Sequence, residues 1–324
     1  MKLSAFAKYA WVMVAFTVFV ILWGALVRAT GSGAGCGNHW PTCQGAIIPQ
    51  PKAIETVIEF THRLTSSLAG VLAIGLVIWA FRAYPKGHWV RGGAIASLTL
   101  MIVEGLLGAA LVKFELVAKN DSAIRALVVA VHLANTFILL AAVTLTAWWA
   151  SGGPFPIRVR GQGALSPLVG LALLGVMAIG ASGAIVALGD TLFLASSLIA
   201  GWEQDLDSTA HFLVRLRWVH PAIAIMVGVY VICLMAYYAW SQPMLKRLAQ
   251  VLIGLVAVQL LAGAVNVLLL APVWMQLLHL LLADSVWIML VIVSAGLLAT
   301  ESLAPREPAG VPTQSSPTSS VESL

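Results

Sequence analysis

The sequence predicts an all-α polytopic membrane protein whose eight transmembrane helices form two pseudo-two-fold-related four-helix bundles, and three observations carry that expectation. Of 324 residues, 60% are apolar and 10% charged, where a soluble globular domain carries roughly 25% charged residues; mean hydropathy is +0.95. Eight apolar runs reach the roughly 18 residues that crossing a bilayer requires. The last four runs repeat a polar pattern found in the first four. Composition alone excludes a cytosolic enzyme, a disordered chain and a nucleic-acid binder, and it makes membrane lipid the chain's main neighbour.

The runs cover 9–27, 64–82, 92–112, 126–148, 165–188, 218–240, 248–271 and 274–299. The first follows Lys2 and Lys8, but it is longer than the about 7–15 apolar residues of a signal peptide and reads as a span. The second opens after IEFTHR. The third follows a turn carrying Arg82, Lys86 and Arg91, and the fourth ends on Trp148 and Trp149. The fifth follows Arg158 and Arg160, the sixth ends at Trp240, and the seventh follows Lys246 and Arg247. All these basic residues fall on one side with no acidic residue among them, so that side is cytoplasmic and both termini face it. The other side mixes Arg28, Lys52, Arg63, Lys113, Lys119, Arg125, Arg215 and Arg217 with Glu55, Glu59, Glu115, Asp121, Asp190, Glu203, Asp205 and Asp207. The pI of about 9.3 therefore reports topology, not an anionic partner. Residues 1–150 and 151–303 are the expected bundles, and 304–324, rich in Pro, Ser and Thr, is expected to be a disordered cytoplasmic tail.

VEGLLGAALV in span three is answered by VQLLAGAVNVLL in span seven, and VHLANTFILL in span four by LHLLLADSVWIML in span eight. His62 and His220 differ by 158 positions, His132 and His279 by 147. A duplicated unit with an even number of spans keeps one orientation, so its pseudo-axis lies along the membrane normal. From His62 to Arg82 is 20 residues, from His132 to Trp149 17, from His220 to Trp240 20 and from His279 to Thr300 21, which at about 1.5 Å per residue puts all four about 25–32 Å above the cytoplasmic ends. Each is expected near the N-terminus of an even-numbered span, within reach of the helix dipole. One membrane histidine reads most simply as an interhelical hydrogen bond. Four, two per half at one depth, read as axial pairs for haem iron, His62 with His132 and His220 with His279. Zinc would want further ligands that the second half does not offer. Arg28, Arg63, Arg125, Arg215 and Arg217 are available to haem propionates, or simply bracket their spans.

The halves differ in one informative place. Glu59 lies three residues before His62, on the same helix face, whereas Arg217 lies three before His220. A carboxylate can relay protons and an arginine cannot act as a base, so chemistry is expected in the first half and electron transfer in the second. Cys36 and Cys43 lie in the first outer loop, on the oxidising side, where a disulfide is expected, either structural or redox-active. Cys233 reads as a core filler. His39, His88 and His211 read as surface residues. Glu104, Asn135, Gln259, Asn266 and Asp284 lie within spans, as interhelical hydrogen-bonders or part of a proton path.

TGSGAGCGNHWPTC, IEFTHR and the four histidines in duplicated halves together resemble the haem A synthase family across all eight spans. The resemblance implies an oxidoreductase that converts a methyl substituent of haem O to the formyl group of haem A. By position, His62 and His132 would hold the substrate haem O, with Glu59 the catalytic carboxylate. His220 and His279 would ligate a haem b cofactor, and Cys36 and Cys43 would be the family's loop pair. Pro221 follows His220 where the first half has Arg63, which leaves Arg215 and Arg217 as propionate partners. Haem O synthase and a quinone or other electron acceptor are the expected partners, in the plasma membrane. A bis-histidine cytochrome that only carries electrons, or a transporter of hydrophobic ligands, are the competing readings.

Overall fold

The computed structural model describes residues 3–50, 53–239 and 242–299; Lys2, Lys52, Trp240, Thr300 and the 304–324 tail lie outside the described residues. Among the described residues, eight helical stretches are long and apolar enough to cross a membrane, as the sequence predicts, and the chain is a multi-pass membrane protein. The helices are α1 (Ala5–Ala29), α2 (Ile54–Ala83), α3 (Trp89–Lys113), α4 (Ala123–Ala150), α5 (Leu165–Leu192), α6 (Leu198–Leu206), α7 (Phe212–Arg215), α8 (Val219–Tyr238), α9 (Pro243–Leu268) and α10 (Val273–Ala299). Local chemistry sets several starts. Ser4 and Ser122 accept from the amides of Ala7 and Arg125, Pro243 occupies the first turn of α9, and His88 accepts from Val90 N–H.

Most spans outrun their apolar stretch, because polar residues continue a helix once its backbone ladder is running. The largest difference is in α2, which starts at Ile54 although its apolar run starts at 64. His62, His132 and His279 consequently stand well past the first turns of α2, α4 and α10. The expectation that each lies at a helix N-terminus is corrected for these three, since the dipole acts only within the first turn; only His220, second residue of α8, lies there. Cys233 is exposed, not a core filler.

Neighbour relations run in two circuits. Helices α1, α2, α3 and α4 contact one another in succession and α4 returns to α1; α5, α8, α9 and α10 do the same. Helices α1, α4, α5 and α10 also meet across the middle. The most buried span is α10, with 61% of its central window inside the protein against 39% for α4 and 11–28% for the others. The α4–α10 seam is therefore the centre of the molecule. There Phe137 stacks on Trp287 at 5.1 Å, and Trp287 Nε1 donates to the Phe137 carbonyl. Tyr9 on α1 donates to Leu72 O on α2, and Tyr230 on α8 donates to Leu168 O on α5, both at 2.7 Å. These two bonds join matched positions in the two circuits with donor and acceptor exchanged. At the outer end, the half-buried Arg28 donates to Ala187 O, Thr191 Oγ1 and Gln276 Oε1, tying α1 to α5 and α10.

Candidate functional site

The His220 and His279 rings face each other with centroids 6.5 Å apart and planes at 85°. Two metal–nitrogen bonds of about 2 Å each and two ring half-widths account for most of that separation. His220 Nδ1 lies 3.1 Å from Ser182 Oγ, and His279 Nδ1 is buried without a hydrogen-bond partner. Glycines make room for the rings. A Cβ on Gly183 would stand 3.0 Å from His220 Cε1, one on Gly263 3.1 Å from His279 Cε1, and one on Gly24 3.0 Å from His62 Cε1. His62 Nδ1 also has no hydrogen-bond partner. Half-buried imidazoles packed over glycine, two of them with a buried and unpartnered Nδ1, fit a group that is gripped from both sides. Among the described residues, no cluster of three or more His, Cys, Asp or Glu side chains could hold a bare metal ion. Gln259 Nε2 lies 3.4 Å from His279 Nε2, the nitrogen a metal would take.

In the first half the expected disulfide joins Cys36 and Cys43, with Cα atoms 4.5 Å apart. The loop it closes is pressed onto the start of α2. A Cβ on Gly35 would fall 2.4 Å from Glu55 O, so only glycine fits. Thr56 Oγ1 donates to Gly35 O, and Gln44 donates to Gly35 O and Thr56. Glu59 is buried at 3% exposure. Its Oε2 accepts from Cys36 N–H at 2.7 Å and its Oε1 accepts from Arg63 Nε at 3.1 Å. Arg63 also donates to the carbonyls of His39 and Thr42. The carboxylate thus joins the disulfide loop to the helix that carries His62. The Glu59–His62 spacing is visible in the sequence; the partners Cys36 and Arg63 are not, although Glu59 and Arg63 have the i, i+4 spacing of a helical ion pair.

The outer arginines are placed as follows. Arg217 pairs with Asp190 at 2.9 Å and Asp205 at 3.6 Å and donates to the carbonyls of Gly189 and Phe193. Arg125 donates to Ala118 O and Asn120 O. Arg215 is exposed at the end of α7. Of the outer charges, Arg63 and Arg217 are therefore held in ion pairs with Glu59, Asp190 and Asp205. His211 caps α7 and lies 3.7 Å from Asp121 Oδ2. Burial holds the Asp205 carboxyl above its ordinary range, opposed by Arg217. Inside the spans, Glu104 Oε1 stands 3.3 Å from His132 Nδ1. Asn266 Oδ1 and both oxygens of the fully buried Asp284 have no hydrogen-bond partner.

Comparison with known proteins gives this geometry a lineage. A protein of Thermus thermophilus named protoheme IX farnesyltransferase is 53% identical over 298 residues, which are 91% of this chain and 49% of that protein. A heme A synthase of Alkalihalophilus pseudofirmus is 43% identical over 128 residues, 40% of each chain. A heme A synthase of Halalkalibacterium halodurans is 42% identical over 141 residues, 43% of this chain and 45% of that one. The chain spans about half the length, or less, of these curated relatives in the matched regions. The family profile described as cytochrome oxidase assembly protein matches residues 7–291, nearly the whole of the described fold, and the chain belongs to that family.

Proposed function

We propose that this chain is a membrane oxidoreductase of the haem A synthase type, which oxidises a methyl substituent of haem O to the formyl group of haem A. The observation that carries the reading is the pair of facing imidazoles, His220 and His279, at a separation that suits one metal between them. Its counterpart in the first half is His62 with His132. The names of the relatives support the chemistry. The halves act as two bundles related by an approximate two-fold axis along the membrane normal, a view supported by the two helix circuits and the exchanged tyrosine bonds. His220 and His279 would hold a haem b in the second half, which would supply one-electron transfer.

In the first half, His62 and His132 bind and orient the substrate. Glu59, held by Cys36 N–H and Arg63, is the carboxylate beside it that can move a proton. Its burial against the Cys36–Cys43 loop keeps water from the outer surface away from it. Arg215, exposed at the outer rim, is free to meet a propionate, while Arg217 would first have to release Asp190 or Asp205. With water as the source of the formyl oxygen, the methyl group gives up four electrons and four protons, and a quinone or comparable acceptor would take the electrons. Haem O synthase is the expected supplier of substrate, a partnership supported by the name of the T. thermophilus relative. The plasma membrane, with both termini cytoplasmic, is the expected setting.

The test is a reverse-phase pigment profile from a host that supplies haem O. Wild-type chain should yield haem A, and Glu59→Ala should abolish conversion while haem b stays bound. Haem b alone from the wild type would favour a simple electron carrier, and the lack of any Soret band would favour a ligand transporter.

A further inference from the structure

Glu104 on α3 is a carboxyl group within a membrane span that the proposed function does not use. A carboxylate there is costly unless it is held, and three residues of α4 hold it. Asn135 Nδ2 donates to Glu104 Oε2 at 2.6 Å, and Thr136 Oγ1 donates to Oε1. His132 Nδ1 lies 3.3 Å from the same Oε1, not aligned as a hydrogen bond. His132, Asn135 and Thr136 are spaced i, i+3 and i+4, so one face of α4 presents all three to the carboxylate.

In the second half the matched side chain, Gln259, lies 3.4 Å from His279 Nε2 but brings no carboxylate. The offsets that align spans three with seven and four with eight put Gln259 opposite Glu104, Leu282 opposite Asn135 and Ala283 opposite Thr136. The ring placement differs too. A Cβ on Gly263 would touch His279, whereas one on the matching Gly108 would meet nothing within 4 Å. His132 therefore does not lie over its glycine as His279 does.

We propose that Glu104 is a positioning residue for His132: its Oε1, 3.3 Å from Nδ1, would accept the Nδ1–H once the ring turns into line, so that Nε2 is left for iron and His132 is the fixed ligand of the first site. The proposal rests on the paired-histidine reading above. A carboxylate behind a metal-bound imidazole fixes its tautomer and raises its basicity, and losing such a partner costs about 10–100-fold in affinity. The added negative charge favours ferric over ferrous iron. His62, whose Nδ1 has no such partner, is the ligand of that site that gives way when haem enters or leaves.

The experiment titrates the purified full chain with ferric haem b and follows the Soret band, then determines midpoint potentials spectroelectrochemically. Glu104→Gln should weaken one of two sites about 10–100-fold and raise its potential, by about 59 mV for each tenfold loss of ferric preference. The other site should not change. Should that variant fail to fold, the Asn135→Leu, Thr136→Ala pair, which copies the second half and keeps the carboxylate, should move the same site in the same direction by less. Unchanged potentials at both sites overturn the proposal. So does weaker binding with no change in potential, which marks a purely structural role. Failure of the wild type to give a low-spin bis-histidine spectrum overturns the paired-histidine reading, and the proposal with it.

Discussion

The glycine under His220 allows a perturbation of the second site to be sized from geometry. A Cβ at position 183 would lie 3.0 Å from His220 Cε1, and ordinary contact begins at 3.4 Å, so the imidazole must retreat by the difference, about 0.4 Å. Ligand distances tolerate about ±0.2 Å, so a ring displaced by twice that either loses the metal or leaves its rotamer. Alanine is otherwise the better helix former by about 1 kcal/mol, so α5 itself should persist. Gly183→Ala should therefore give a folded chain whose second site binds haem about 10–100-fold more weakly. Gly24→Ala should do the same to the first site, since its Cβ would stand 3.0 Å from His62 Cε1. Gly170→Ala, on α5 with nothing within 4 Å, is the control and should keep its haem. The assay is haem per chain by pigment extraction, with circular dichroism to show that helix is retained. Full haem occupancy in Gly183→Ala would refute the role of His220 as an iron ligand in this orientation.

Three further outcomes are expected. Replacing Cys36 and Cys43 by serine opens a loop of sequence separation 7, which should cost about 2–3 kcal/mol in unfolding stability. It also frees Glu59 from the Cys36 amide, so haem O conversion should fall while bound haem b, seen in the same pigment profile, does not. Arg28→Ala removes three bonds between α1 and the second half and should lower stability by about 2 kcal/mol, taking membrane interhelical hydrogen bonds at about 0.6 kcal/mol each; the thermal midpoint in detergent measures it. Asp207 is held below the ordinary carboxylate range by the Thr209 hydroxyl and then by the Thr209 amide. A lowered folded-state value means the turn is fully stabilised above the ordinary carboxylate range and lost as pH falls through the lowered value. Amide exchange at Thr209 should show that dependence, and Asp207→Asn should abolish it.

Legibility in the sequence follows the physics of each signal. A bilayer crossing demands about 18 apolar residues, which is why all eight spans are read directly, whereas helix ends are set by caps and hydrogen bonds that hydropathy does not register. Hence α2 starts well before its apolar run, and His62, His132 and His279 stand away from the helix starts. The amphipathic α6 escapes because nine residues are too few to read as a span, although Ser197 at its cap and the exposed Ile199, Trp202 and Leu206 carry a helical period. Cys233 differs from its expectation for a related reason. Within a span, apolar residues face both lipid and core, so an apolar neighbourhood does not fix which side a residue takes. The contacts of Glu59 with Cys36 and of Glu104 with His132 join separate segments, so spacing within one segment does not show them.

The duplicated halves explain why differences between matched positions are more informative than the polar residues taken singly. Each half supplies two histidines, and packing alone would be served by either set. The first half also places Glu104 3.3 Å from His132 and Glu59 one turn before His62 on α2, each held by named donors. The second half has Arg217 and Gln259 at those positions, with Leu282 and Ala283 where the clasp on Glu104 would be. A carboxylate in the membrane interior carries a free-energy cost that a glutamine or leucine does not. Two such carboxylates, each with its own donors, are what the proposed division of labour asks of the first half, for proton movement and ligand control; in the second half the buried Asp284 has no donor at either oxygen.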